Sequence, residues 1–219
     1  MSKMLQADLR FMKSAYQVKL NYIGMLFMFV GGVIAVLTKE SETKFIGIFF
    51  ITLAVIIPIE IIYATIAGST MIQTSKIYKK QMTLILPMLT TIFSIVGFLV
   101  SAWFYYFVTD YDSSNGGLDI LGAAAIVSMA LIYISICYKH YWIGTAVLLL
   151  ASGIVGGLSA MVEEEGNLNN LKEQLDFGSA LAIGVMVLII GAICNFIFSG
   201  LLYRHDYSKM VLRKFIKKV

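Results

Sequence analysis

A single carboxylate, Glu60, lies deep inside a long apolar run and is the first candidate for acid–base chemistry in this chain. If that run crosses a membrane, burying a charged carboxylate costs roughly 2.5–3.5 kcal/mol on insertion scales, so the side chain should face other helices. We expect Glu60 to be protonated or hydrogen-bonded there. It would serve either as a proton or substrate site or as a hydrogen bond between helices, and the sequence leaves both interpretations open.

The sequence contains no nucleotide-hydrolysing or zinc-protease motif. No Gly is followed, after four residues, by Gly-Lys-Ser or Gly-Lys-Thr, so a P-loop has no phosphate cradle here. There is no H-E-x-x-H pattern, and the two histidines, His140 and His205, each adjoin an apolar run. We therefore expect that this chain is not an enzyme and that it holds no metal or other cofactor of its own.

The elements that must position Glu60 are apolar helices. Hydrophobic residues make up 59% of the chain and charged residues 14%, and the mean hydropathy is +0.84. A soluble domain carries about 25% charged residues. Apolar stretches of about 18 residues or more, long enough to cross a bilayer, recur along the chain. We therefore predict an all-α polytopic membrane protein with six transmembrane helices, at residues 20–37, 45–68, 82–108, 117–138, 141–161 and 178–203.

Amphipathic helices are predicted at both ends of this single transmembrane domain, which takes in residues 1–219. Residues 20–203 form the six-helix bundle. Residues 1–19 place apolar side chains at helical spacing: Leu5, Leu9, Met12 and Tyr16. The tail, residues 204–219, has a similar apolar stripe among basic residues: Val211, Leu212, Phe215, Ile216 and Val219. We expect both helices to lie on the cytosolic surface of the bilayer.

Basic residues decide the orientation of the predicted spans. With the N-terminus inside, only Lys39, Lys44 and Lys172 of the 17 lysines and arginines fall on the outer side. Because lysine and arginine accumulate in cytosolic loops, both termini are predicted to be cytosolic. Aromatic residues near the inner span ends are interpreted as interfacial anchors: Tyr22, Tyr63, Tyr138, Tyr141, Trp142 and Tyr203.

The cytosolic segment between the second and third predicted spans, residues 69–81, is polar and basic. It carries Lys76, Lys79 and Lys80 and no acid. Ser69 or Thr70 can cap a helix here. Four residues of that helix would share one face: Met71, Ile72, Ser75 and Tyr78. The segment is either a lysine-rich loop that only fixes topology or a helix that docks a soluble partner.

A polar layer is predicted inside the bundle at the depth of Glu60. At a rise of 1.5 Å per residue, Glu60 lies about 12 Å from the inner end of its span. Similar depths follow for four other polar residues: Thr90, Thr91, Tyr133 and Asn195. We predict that these residues meet among spans two, three, four and six near the inner leaflet.

Two prolines flank the cytosolic segment, one in each adjoining span. Pro58 and Pro87 each lack a backbone donor and can kink a helix. Two kinked spans joined by a cytosolic helix would work as a lever, so both prolines are predicted hinges. Prolines are also common in membrane spans in general.

The order of these elements resembles the permease subunits of ABC-2-type exporters. The likeness covers the whole chain as an architecture: an N-terminal amphipathic helix, a basic cytosolic segment after the second span, and four further spans. The opening MLQADLRFMKS is similar to the start common in that family, with Ala7 where a lysine is usual. Small bacterial permeases that export amphipathic peptides, such as the phenol-soluble-modulin exporter, are the most similar group.

The resemblance implies a site in the bacterial cytoplasmic membrane and a set of partners. Two permeases, identical or paralogous, would pair above two ABC ATPase subunits that bind ATP and Mg. The cargo would be an amphipathic peptide or another hydrophobic toxin. The ATPase-coupling contact would combine the N-terminal helix and residues 69–81: Leu5, Leu9, Arg10, Ser69, Thr70, Met71, Ile72, Lys76, Tyr78, Lys79 and Lys80.

Two other classes of function remain open. One is a proton-coupled secondary transporter that uses Glu60, although the predicted spans contain one buried acid, no buried base and no visible internal repeat. The other is a membrane immunity or assembly protein that transports nothing. We expect contact with the lipid bilayer in every case and no nucleic-acid partner.

Overall fold

The computed structural model describes residues 18–38, 44–68, 73–74, 76–109, 116–147, 149–150, 153 and 175–208. Every regular element among these residues is helical, as the sequence predicts. Most of the two predicted amphipathic segments, residues 1–19 and 204–219, and most of the fifth predicted span lie outside the described residues.

Six helical segments follow one another along the described chain. Their bounds are α1 Val18–Leu37, α2 Lys44–Gly68, α3 Tyr78–Val108, α4 Gly116–Cys137, α5 residues 141–147 and α6 Phe177–Leu202. Three of them, α3, α4 and α6, are long and apolar enough to cross a membrane. The apolar stretches of α1 and α2, Tyr22–Leu37 and Ile46–Ile59, are shorter. The chain therefore has the character of a helical membrane protein, and six spans stay a prediction.

The start of α3 differs from its prediction. The third span was expected to begin at residue 82, with a separate helix ahead of it. Instead α3 runs unbroken for 31 residues from Tyr78, so Lys79, Lys80 and Gln81 belong to its first turns. Lys79 and Lys80 are exposed and Gln81 is buried, yet all three continue the helix. Hydropathy alone placed the boundary too late because polar residues lower it without ending the helix.

The first two helices pack through a pair of glycines. A Cβ at Gly32 would lie 2.9 Å from the carbonyl oxygen of Gly47, and a Cβ at Gly47 would lie 2.8 Å from that of Gly32. Val36 packs beside Gly47, and Ile51 beside Gly32, so α1 and α2 run antiparallel. Small residues let membrane helices approach this closely.

The remaining helices form one bundle in which most neighbours are antiparallel. Thr52 bonds to Ser101 across α2 and α3, with 2.9 Å between their hydroxyl oxygens. Tyr105 Oη donates to Asp119 Oδ2 at 2.9 Å across the ends of α3 and α4. Two pairs run parallel instead. In one, α4 and α6, Gly184 lies near Ala124 and Gly191 against Ser128; in the other, α2 and α4, Lys44 lies near Asp119 and Tyr63 stacks on Tyr138. The buried core lies among α2, α3, α4 and α6.

The two ends of this bundle differ in chemistry. At one end, Trp103, Tyr106 and Phe177 form an aromatic group with centroid distances of 4.4–5.9 Å. At the other end, the start of α3 meets the ends of α4 and α6. This second end, called the Lys139 end below, holds most of the predicted coupling residues that the structure describes.

Candidate functional site

An exposed basic turn leads into α3 at the Lys139 end. Lys76, Lys79 and Lys80 are all exposed, as expected for a surface segment. Between them Ile77 is 49% exposed. An isolated apolar side chain among lysines, at the root of a 31-residue helix, is suited to contact with another molecule.

Tyr78 ties this turn to the bundle through a group of five residues. We call Tyr78, Lys139, Tyr203, His205 and Tyr207 the Lys139 cluster. Lys139 Nζ donates to the His205 carbonyl oxygen at 2.6 Å and to Tyr78 Oη at 3.1 Å. It also lies 3.5 Å from the centroid of the Tyr207 ring, a cation–π contact. Tyr78 Oη lies 3.3 Å from the Tyr203 carbonyl oxygen and 3.1 Å from Tyr207 Oη, so it donates to one at a time.

Two members of the Lys139 cluster, Lys139 and Tyr207, are buried although they lie at the ends of helices. Lys139 is only 5% exposed. Burial lowers the pKa of Lys139 to about 8, and the carboxylate of Asp206 acts in the opposite direction. Burial also raises the pKa of Tyr207 far above its ordinary range. At neutral pH Lys139 therefore carries its charge beside the neutral hydroxyls of Tyr78 and Tyr207, and mildly basic pH removes that charge.

Two tyrosines carry the contacts from this cluster into the bundle. Tyr63 is 2% exposed and Tyr138 is 6% exposed. Their rings stack with 5.0 Å between centroids and 18° between planes. Their prediction as interfacial anchors is wrong, because α2 and α4 pack together here and enclose both rings. Trp142, by contrast, is 68% exposed.

A polar layer lies directly beyond Tyr63. Thr90 and Asn195 are fully buried, as predicted. Ser135 Oγ donates to Asn195 Oδ1, and Ser199 Oγ lies 3.5 Å from the same oxygen. The side chains of Thr90 and Ser199 also approach Tyr63 Oη. Hydroxyl and amide groups from α2, α3, α4 and α6 therefore meet at one level of the bundle.

The other predicted members of that layer have a different role or lie outside the description. Thr91 donates to the Pro87 carbonyl oxygen at 2.8 Å, within its own helix. Tyr133 Oη accepts from Cys137 Sγ at 3.1 Å, also within one helix. Glu60 lies in α2 by its backbone, and its side chain is outside the described part of the structure.

Two buried polar atoms in this layer lack a hydrogen-bond partner among the described residues. They are Tyr63 Oη and Asn195 Nδ2. An unpaired polar group in a protein interior costs about 1–3 kcal/mol. The layer is therefore a place where the bundle gives up stability for polarity.

Phenylalanine at position 63 should leave the thermal unfolding temperature unchanged or raise it. The substitution keeps the ring that stacks on Tyr138 and removes a hydroxyl without a partner. The matched control is Tyr105→Phe, which deletes the hydroxyl bonded to Asp119 and should cost about 1 kcal/mol. Both variants are compared with the parent in one detergent; a clear loss for Tyr63→Phe would contradict the assignment of its hydroxyl as unpaired.

The predicted hinge at Pro87 coincides with an irregular turn. Residues Gln81–Ile85 of α3 form a π-helix, which ends just before Pro87. Proline cannot donate to the carbonyl four residues earlier, and its ring crowds that oxygen. A π turn widens the helix at this point, and such turns are frequent at functional sites. Pro58 lies inside α2. Hinge motion at either proline stays a prediction.

The remaining coupling residues fall outside the structural description. These are Leu5, Leu9, Arg10, Ser69, Thr70, Met71 and Ile72. Of the described members, the lysines are exposed and Tyr78 is held in the Lys139 cluster. A face shared by Met71, Ile72, Ser75 and Tyr78 is therefore not tested.

Sequence reasoning missed Lys139, Tyr63, Ser135 and Ser199. Lys139 was counted only as one of the basic residues on the predicted cytosolic side. The available signal was the connection between the fourth and fifth predicted spans, residues 139–140, which is too short to carry a lysine far from either helix. Ser199 follows Asn195 by four residues, which places both on one face of α6.

Comparisons with protein-family models, with curated proteins and with solved structures found no match to this chain. A function must therefore be inferred from the residues and contacts described above.

Proposed function

We propose that this chain is the membrane-spanning permease subunit of an ATP-driven exporter, with ATP hydrolysed on a separate ABC ATPase subunit. It would reside in a bacterial cytoplasmic membrane with the Lys139 end toward the cytosol. The cargo class we favour is an amphipathic peptide or another hydrophobic toxin. A second permease, identical or paralogous, would complete the pathway.

One observation carries this proposal: a single helix connects an exposed basic turn to the far end of the bundle. Lys76 and Ile77 are exposed just before the helix begins. Tyr78, its first residue, is hydrogen-bonded to Lys139 and Tyr207. A push on the turn would therefore reach the ends of α4 and α6 as well as α3. The π-helix Gln81–Ile85 lies between the turn and the rest of α3, where bending is easiest.

The proposal predicts that altering the exposed turn disconnects the ATPase. In Lys76→Glu/Ile77→Asp, an ABC ATPase that co-purifies with the parent chain should be retained about tenfold less, because losing an apolar anchor at an interface costs about 1–2 kcal/mol. ATP hydrolysis stimulated by the complex should fall in parallel. Neither residue is buried, so the variant should fold.

The matched control is Thr38→Glu, which adds an acid at an exposed position on the opposite end of the bundle. It should keep both the ATPase and its stimulated activity. The proposal fails if no ABC ATPase co-purifies with the parent chain, or if the double variant binds and stimulates it as well as the parent does.

The polar layer favours a second candidate, a proton-coupled transporter. Polar groups follow one another from Tyr207 past Tyr63 and Ser199 to Asn195 and Ser135. Chains of this kind can relay protons in membrane proteins. Proton entry into vesicles, followed with a trapped pH dye, should then fall in Glu60→Gln; equal proton entry in parent and variant would remove this candidate.

A further inference from the structure

Two cations at the Lys139 end converge on one tyrosine. Lys79 Nζ, from α3, lies 5.7 Å from the centroid of the Tyr203 ring. The guanidinium carbon of Arg204, just after α6, lies 5.4 Å from the same centroid. Arg204 Nε also donates to Tyr203 Oη at 2.6 Å. In the described part of the chain neither cation is paired with a carboxylate, and the nearby Asp206 acts on Lys139.

The helix that carries Lys79 adds positive potential at the same place. Lys79 and Lys80 occupy the first turn of α3, and no acid lies there. The N-cap residue, Ile77, makes no side-chain hydrogen bond to the free amides. A helix N-terminus carries a partial positive charge and normally favours acids. Among the described residues of this turn no acid offsets that charge, so an external anion would be attracted.

The surface next to Tyr203 along α6 is apolar and open. Ile197 is 53% exposed and Leu201 is 65% exposed, four residues apart on one face. Beside them, nothing lies within 4 Å of a Cβ built on Gly200. Arg204 follows Ile197 by seven residues and Leu201 by three, so its position continues that face of α6. A cationic group at the end of an exposed apolar strip matches a molecule with an anionic head and hydrocarbon chains. Tyrosine is at home at that boundary between water and hydrocarbon.

We propose that Lys79, Tyr203 and Arg204 bind the phosphate of an anionic phospholipid, whose chains lie along Ile197, Gly200 and Leu201. The lipid headgroup would lie where the N-terminal end of α3 meets the C-terminal end of α6. This site does not depend on whether an ATPase binds the chain.

The test is binding of phosphatidylglycerol to the purified full-length chain, measured by native mass spectrometry and by the shift in unfolding temperature. The parent should retain this lipid and gain stability from it, while phosphatidylcholine gives a much smaller shift. In Lys79→Gln/Arg204→Gln, affinity should fall roughly thirtyfold, from about 1 kcal/mol for each basic residue near a membrane surface. Lys79→Arg keeps the positive charge but changes the shape of the side chain, and it should still bind the lipid. That result would show that binding depends on the charge.

Lys76→Gln is the matched control, because it removes an exposed lysine at the same end that makes no contact with Tyr203. It should bind phosphatidylglycerol like the parent. Equal lipid binding in the double variant, or no preference over phosphatidylcholine, would overturn the proposal. So would an equal stabilisation by inorganic phosphate alone, which would indicate a site for the free anion.

Discussion

Alanine at position 32 should destabilise the folded protein by about 1–3 kcal/mol, the usual cost of overpacking a well-packed contact. A Cβ there would lie 2.9 Å from the Gly47 carbonyl oxygen and 3.0 Å from the Ile51 backbone nitrogen. Both are backbone atoms, so α1 and α2 must separate to make room. The measurement is thermal unfolding in a fixed detergent, followed by size-exclusion chromatography.

The neighbouring residue provides the matched control. Nothing lies within 4 Å of a Cβ built on Gly31. Gly31→Ala should therefore leave stability unchanged or raise it by up to about 1 kcal/mol, because glycine is a poor helix former. Similar losses at positions 31 and 32 would show that helix propensity or lipid contact, and not the approach of α1 to α2, sets the effect.

Raising the pH from 8 toward 10 should stabilise the parent protein relative to two variants of Lys139. Burial lowers the pKa of Lys139 from its ordinary value near 10.5 to about 8. Between these values the unfolded chain keeps the lysine proton and the folded protein releases it, so stability rises with pH. Lys139→Met and Lys139→Arg cannot release that proton, and both should lack this rise.

Comparing the two Lys139 variants distinguishes the effect of a charge at this position from the effect of losing a proton there. Arginine remains charged throughout and methionine is never charged, yet both should show a flatter pH profile of unfolding temperature than the parent. The scan stops below pH 10, because the raised pKa of Tyr207 makes that residue oppose folding at higher pH. A parent profile that parallels both variants would show that Lys139 is not buried as described.

The helices of this chain are predictable from sequence, whereas the contacts between their ends are not. Long apolar runs place α3, α4 and α6 to within a few residues, since only a helix satisfies the backbone inside a bilayer. The exposure of Lys76, Lys79 and Lys80 also follows from charge. The late boundary of α3 arose because hydropathy does not register a helix that continues into water.

The Lys139 cluster depends on packing between residues far apart in sequence. Lys139 and Tyr207 are 68 positions apart, and no periodicity within one helix predicts which end meets which. The polar layer was predicted in part for a related reason. Depth along each span placed Thr90 and Asn195 at the level where Tyr63 and Ser199 also lie. Depth does not specify rotation about the helix axis, so it could not separate these residues from Thr91 and Tyr133, which bond within their own helices.

The parallel course of α4 and α6 determines at which end of the bundle the described chain begins and finishes. The chain leaves α4 at the Lys139 end and enters α6 at the aromatic end, so the intervening residues make a net passage from one to the other. Helices α1 to α4 alternate, and α6 returns to the Lys139 end. Labels placed just before Val18 and just after Tyr207 must therefore report the same face of the membrane, and an impermeant reagent that reaches one must reach the other.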